Sequence, residues 1–123
     1  MLDIKAINEN LHKREAIKRQ ARLNRFELST GDFWSIVRMI IDKYSPKKIV
    51  QWGSLLFSEQ FDENSDIDIA IEGISDATRY FALLGDAMEL TRFPLDIVQL
   101  EKIEPEFAEL ILLPKFRSFF IIC

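Results

Sequence analysis

Hydrophobic residues recur at helical spacing in the first third of the chain and in shorter runs of β-strand character further on. Residues 3–25 contain neither Gly nor Pro and predict a helix, although their apolar stripe loses phase along the way. A second helix is predicted next, because Ser29, Thr30 and Asp32 are candidate N-cap residues and Pro46 would end it. Its apolar face comprises Phe33, Ile36, Val37, Ile40, Ile41 and Tyr44. We therefore predict two helices before the first strand.

Three short segments rich in β-branched residues predict strands, at residues 48–52, 66–72 and 95–99. A helix over residues 76–90 is predicted between the second and third strands. Pro105 is suited to the first position of a last helix, and Pro114 would stop it. The apolar end of the chain, residues 116–123, predicts a further strand. Strands that alternate with helices predict an α/β domain in which helices pack against one small sheet.

Composition limits the classes of protein to which the chain can belong. Its 123 residues are 48% hydrophobic and 29% charged, which is typical of one globular domain. The net charge is −4, but residues 1–25 carry +4, so the remainder carries −8. The single cysteine, Cys123, excludes an intrachain disulfide and fits a reducing compartment. With neither a signal peptide nor a membrane-spanning run in the sequence, we expect a cytoplasmic protein.

Two aspartates at the start of the second predicted strand are the first candidates for chemistry. Asp66 and Asp68 share a face because side chains alternate along a strand, and Asp96 lies one residue into the next strand. Three crowded carboxylates repel one another, and a divalent cation removes that repulsion. Their oxygen atoms suit Mg²⁺, and two such ions can clamp both the attacking and the leaving oxygen of a phosphoryl-type transfer. The aspartates therefore predict a two-ion Mg²⁺ site, with Mn²⁺ as the alternative ion.

A Gly-Ser turn follows the first predicted strand. Gly53 and Ser54 would present backbone N–H groups and a hydroxyl to an anion, next to the N-terminus of a short helix. A phosphate cradle that faces metal-binding carboxylates is what a nucleoside triphosphate requires.

The order of these features resembles the nucleotidyltransferase superfamily of DNA polymerase beta. At this length the chain is similar to the minimal nucleotidyltransferases that serve as antitoxins to HEPN-domain toxins, and the resemblance covers residues 49–112. It implies the nucleotidyltransferase fold, a small mixed sheet flanked by helices, with an extra N-terminal helix. The single domain, residues 1–123, would then consist of an N-terminal extension over 1–28 and a motif-bearing core over 48–112.

The resemblance also implies a role for each candidate residue. Gly53 and Ser54 would hold the triphosphate, Asp66 and Asp68 would bind both metal ions, and Asp96 would complete the site and help to deprotonate the attacking hydroxyl. The implied reaction is Mg²⁺-dependent transfer of a nucleoside monophosphate, AMP from ATP, to a hydroxyl of a partner protein. The implied acceptor is a tyrosine of a HEPN-like toxin, so we expect an oligomer or a hetero-complex.

One departure from the family pattern keeps other interpretations open. Family members commonly carry arginines after Gly-Ser, whereas no Lys or Arg lies between Ser54 and Asp66, so Lys47, Lys48 or another segment would have to supply a cation. A catalytically degenerate module that neutralises a HEPN-type partner by contact is the alternative function. A third function, nucleic-acid binding through the basic first helix, conflicts with the acidic remainder. Glu72 shares the aspartates' face, as either a further ligand or a solvated strand end.

Overall fold

The computed structural model describes residues 3–53, 61–113 and 117–122, the last of these as backbone alone. Three helices and four strands occur in these ranges. In chain order they are α1 (Ile4–Tyr44), β1 (Lys48–Trp52), β2 (Ile67–Glu72), α2 (Ala77–Met88), β3 (Leu95–Gln99), α3 (Pro105–Leu112) and β4 (Arg117–Ile122). The predicted strands and the last two predicted helices are confirmed to within two residues at the ends that lie inside these ranges.

Ile4–Tyr44 form one continuous helix, so the prediction of two helices is wrong. Asp3 is the N-cap, and its side chain accepts a hydrogen bond from the backbone N–H of Ala6. Ser29, Thr30 and Asp32, the predicted caps of a second helix, lie in the interior of α1. They do not interrupt it because Ser29 is fully buried against the body and the Asp32 carboxylate accepts a hydrogen bond from Thr91 instead of capping.

The four strands form one mixed sheet in the order β3-β2-β1-β4. β1 pairs antiparallel with both β2 and β4, whereas β2 and β3 are parallel. The parallel pair is joined through α2, as parallel strands require a crossover. The predicted small mixed α/β domain is therefore observed, and the three predicted strands are neighbours in one sheet.

Helices cover the two faces of the sheet, and the alternation along each strand decides which residue meets which helix. One face carries Ile49, Ile69 and Ile97, which pack with the second half of α1 and with α2. The opposite face carries Val50 and Ala70, which pack with α3. In the part of the chain that the structure describes, no helix is long and apolar enough to cross a membrane.

Candidate active site

The candidate aspartates lie together at one end of the sheet, on the face that α3 partly covers. The parallel register places Asp68 of β2 directly opposite Asp96 of β3. Neighbouring strands are about 4.8 Å apart, so these two carboxyl groups lie within reach of one shared ion. Asp66 immediately precedes β2 and lies two residues before Asp68, on the same side of the strand. The three candidate aspartates therefore lie at one end of the sheet, close enough for the charge of Asp66 to act on both Asp68 and Asp96.

The Gly53 backbone lies against the Asp68 carboxylate at this end of the sheet. Gly53 follows directly after β1, whose last residue Trp52 is paired with Asp68. Its φ angle of +84° is in the left-handed region that favours glycine, and a Cβ at this position would overlap the Oδ2 atom of Asp68. Gly53 therefore allows the turn and the carboxylate to approach each other. Ser54, its predicted partner in phosphate binding, lies outside the described residues.

The electrostatic state of the aspartates reflects burial and mutual repulsion. Burial, followed by the charges of Asp96 and Asp66, raises the pKa of Asp68 to about 7. Burial and the charge of Asp66 also raise the pKa of Asp96. Among residues 3–53 and 61–113, no Lys or Arg forms an ion pair with any of the three. This end of the sheet therefore holds carboxylates whose charge is not neutralised by the described part of the chain.

A tight turn before β2 fixes where Asp66 lies. The Asp62 carboxylate accepts a hydrogen bond from the Asn64 N–H at 2.8 Å, and the Ser65 N–H donates to the Asp62 carbonyl at 3.1 Å. The N–H of Ile67, the first residue of β2, donates to the carbonyl of Pro94 at 2.8 Å, just before β3. These bonds keep the start of β2 next to the start of β3, so Asp66 and Asp68 lie beside the strand that carries Asp96.

Arg25 of α1 contacts the segments that precede β2 and β3, a contact that was not predicted from the sequence. Its guanidinium donates to the carbonyl oxygens of Asp62 at 3.2 Å and Glu63 at 3.0 Å. The same group lies 4.7 Å from the centroid of the Phe93 ring, three residues before Asp96. Arg25 is one of seven basic residues before position 26, and nothing in that run distinguishes it from the others.

The other residues considered from the sequence lie away from the aspartates. Lys48 is paired with Glu72 in the β1–β2 register, and their side chains form an ion pair at 3.6 Å. Because Glu72 is four residues along β2 from Asp68, the pair is about 13 Å away, at the opposite end of the sheet. Glu72 is therefore too distant to be a further ligand. Lys48 and the adjacent Lys47 lie at the same distant end, next to Glu72 and Gly73, so neither supplies a cation beside the aspartates.

Trp52 of β1 lies next to Asp68, its register partner on β2, which in turn lies next to Asp96 of β3. Its ring packs edge-on against Phe107 of α3, with centroids 5.4 Å apart. Its indole Nε1 is buried and has no hydrogen-bond partner within the described residues. Trp52 thus lies between α3, through its contact with Phe107, and Asp68, its neighbour in the sheet.

The chemistry of the three side chains fits a hard divalent cation, although their arrangement is not that of a finished site. Mg²⁺ is bound in proteins by one or two carboxylates, with water and phosphate oxygens completing its octahedron, and Asp66, Asp68 and Asp96 offer such oxygens. No three His, Cys, Asp or Glu side chains in the described ranges already converge as a metal-binding group. Metal binding here would therefore require the carboxylates to turn towards a common ion.

Comparisons of the chain with protein-family models, with curated proteins and with solved structures find no match. The fold class is shown by the structure itself, a small mixed α/β domain, and the candidate site depends on the geometry described above.

Proposed function

We propose that the chain is a minimal nucleotidyltransferase that transfers AMP from ATP to a hydroxyl of a partner protein of HEPN type. The single observation that carries the proposal is the position of the three aspartates. Asp68 and Asp96 are register partners, Asp66 precedes them on the same side, and the Gly53 turn lies against Asp68. Carboxylates beside a glycine turn at one end of a sheet suit a metal-bound triphosphate.

Each residue has a distinct task in this proposal. Asp66 and Asp68 hold the divalent cations, which when bound supply positive charge beside the phosphate oxygens and the attacking oxygen. Gly53 and Ser54 bind the triphosphate, through backbone N–H groups and the Ser54 hydroxyl. Asp96, whose pKa is raised by burial and by Asp66, accepts the proton of the attacking hydroxyl. The new bond joins that hydroxyl oxygen to the α-phosphorus, and pyrophosphate leaves.

The direct test is transfer of label from ATP to a protein acceptor. The purified chain is incubated with α-labelled ATP, Mg²⁺ or Mn²⁺, and the product of the neighbouring gene. Intact mass spectrometry of the acceptor should then show the addition of AMP, localised to a tyrosine. The matched reaction without the acceptor controls for self-modification and for simple hydrolysis of ATP.

A binding module that neutralises its partner by contact would give a different result. In that case the acceptor gains no mass, while its toxicity is still suppressed by the chain in which Asp66 and Asp68 are both replaced by Asn. Suppression that is lost in the double variant, together with AMP transfer by the original chain, supports the enzyme. Absence of transfer with every nucleotide and metal tried would overturn it.

A further inference from the structure

The first half of α1 extends beyond the body of the protein as an exposed helix. Every residue from 3 to 21 is exposed, and the first fully buried residue of α1 is Ser29. We call residues 4–21 the arm, which at 1.5 Å per residue is about 27 Å long. An isolated helix of this length is only marginally stable in water, since helices in proteins are stabilised mainly by packing against other elements. The arm therefore needs a partner.

The arm presents a basic surface that also contains exposed apolar side chains. It carries five Lys or Arg residues and two Glu residues, a net charge of +3. Ile4 is 70% exposed, Leu11 is 51% exposed and Ile17 is 69% exposed. The phosphate backbone of a nucleic acid would neutralise the charges, but it would leave these side chains in water. A protein surface that is both acidic and apolar complements the arm better.

Such a surface occurs on α3 of the same sequence. Phe107 and Leu110 of α3 and its C-cap residue Leu113 are each at least 37% exposed. The opposite side of the same helix packs against the sheet. The same segment contains three exposed acids and no Lys or Arg between positions 103 and 113. The acids are Glu104, Glu106 and Glu109. The α3 surface therefore matches the arm in both charge and hydrophobic character.

One chain cannot bring these two surfaces together. α1 packs on the sheet face that carries Ile49 and Ile69, whereas α3 packs on the opposite face, against Val50 and Ala70. The arm continues α1 without a break, so it is held on the side of the sheet away from its own α3. A second copy has no such restriction, and a two-fold axis would allow each arm to meet the other copy's α3.

We propose that the chain forms a reciprocal homodimer in which the arm of each copy packs on α3 of the other. A direct contact between two arms is less favourable because both carry +3, whereas arm and α3 carry opposite charges. The arm would then lie near the aspartate end of the other copy, because Phe107 of α3 contacts Trp52 there.

The test is a pair of charge reversals followed by mixing. Arg14 and Lys18 continue the stripe of Ile7 and Leu11 on the arm, while Glu106 and Glu109 flank Leu110 on α3. The arm variant is Arg14→Glu with Lys18→Glu, and the α3 variant is Glu106→Lys with Glu109→Lys. Light scattering at tens of micromolar should give a dimer for the original chain and a loss of affinity of about tenfold or more for each variant alone.

An equimolar mixture of the two variants should recover the dimer. One interface in the mixed dimer then pairs the reversed arm with the reversed α3, and the other pairs the two original surfaces. The control variant carries Asp42→Lys and Glu89→Lys. Both residues are exposed acids that lie outside the arm and outside α3, so this variant should dimerise like the original chain. Circular dichroism verifies that each variant is folded, and the milder pair Arg14→Gln with Lys18→Gln should weaken the dimer if the reversed arm fails to fold.

Several results would overturn the proposal. A monomer for the original chain at tens of micromolar removes it. An α3 variant that dimerises as tightly as the original chain would show that the arms meet each other or that another surface is used. Oligonucleotide binding that is steeply salt-dependent and dissociates the dimer would assign the arm to nucleic acid.

Discussion

The two ends of β2 carry acidic side chains on the same face of the sheet, but in opposite electrostatic situations. At one end Glu72 is paired with Lys48, and their charges meet at 3.6 Å. At the other end Asp68 is paired in register with Asp96, so two negative charges are placed next to each other. Antiparallel pairing brings a cation to Glu72, and parallel pairing brings a second anion to Asp68.

This difference shows which charges the described part of the chain balances internally and which it leaves unbalanced. A half-exposed ion pair such as Lys48–Glu72 is ordinary surface chemistry, worth about 0–1 kcal/mol. Adjacent carboxylates at the aspartate end lower stability unless they are protonated or bind a cation. An arrangement that is unfavourable for the apo protein is expected at a functional site, where stability is exchanged for chemistry.

The largest expected effect is a difference in the rate of AMP transfer between variants at the two ends of β2. Asp68→Asn should lower the rate of AMP transfer by about a hundredfold or more, because it removes one charge from the centre of the proposed site. Glu72→Gln, on the same strand and face, is the matched control and should change the rate by less than about twofold, as expected for a surface pair. Initial rates of pyrophosphate release measure both. Equal losses in the two variants would show that the ends do not differ in function.

The second effect concerns the close approach of Gly53 to Asp68. Gly53→Ala should lower the free energy of unfolding by about 2–4 kcal/mol, since it adds both a left-handed strain and an overlap with the carboxylate. Gly85→Ala is the control, because a Cβ there meets nothing within 4 Å and a helical Ala should raise stability by about 0.5–1 kcal/mol. Chemical denaturation monitored by circular dichroism measures both changes.

A double-mutant cycle refines this second prediction. If the overlap with Asp68 contributes, Gly53→Ala should cost less in a chain that already carries Asp68→Ala, because the clashing carboxylate is gone. Purely additive effects would mean that the left-handed backbone alone accounts for the loss.

Much of the aspartate end could be predicted from the sequence because strand side chains alternate with a fixed period of two. That period predicted that Asp66 and Asp68 share one side of their strand, whereas the position of Asp96 beside them depended on which strand its own strand pairs with, as the register now shows. One small sheet with helices packed against it was also predictable, since strands that alternate with helices restrict the topology, but the strand order was not predicted.

The parts that were missed depend on contacts between residues far apart in sequence. Asp32 looks like an N-cap residue, but its carboxylate accepts a hydrogen bond from Thr91, which is 59 residues away. Arg25 looks like any other cation of a basic helix, but it bonds to carbonyl groups 37 and 38 residues away. Local propensity carries no information about such partners, so neither the continuous α1 nor the contact between α1 and the aspartate end could be predicted.

The third effect is stabilisation by metal at one end only. At ten times its Kd, a divalent cation that binds the native protein adds about 1.4 kcal/mol to the free energy of unfolding, or about 5 °C in Tm for a domain of this size. Mg²⁺ and Mn²⁺ should raise the Tm of the original chain and of Glu72→Gln, but not that of Asp68→Asn. Differential scanning fluorimetry measures the shifts. An unchanged Tm of the original chain across millimolar metal would contradict a cation site at the aspartates.

The smallest effect is the pH dependence of stability without metal. Because the pKa of Asp68 is about 7 in the native chain and 3.8 ordinarily, the native state holds a proton that the unfolded state has lost between those values. The stability of the apo protein should therefore fall as pH rises from about 4 to about 7 and stay level above, and the raised pKa of Asp96 acts in the same direction.

Asp68→Asn should reduce this slope and should be more stable than the original chain at pH 8. Asp86→Asn is the control, because hydrogen bonds from Lys43 and Tyr44 lower the pKa of Asp86 and confine its effect to more acidic solutions. Urea titrations at a series of pH values measure the slope, and a stability that rises from pH 5 to pH 8 in the absence of metal would show that the two ends of β2 are not electrostatically different.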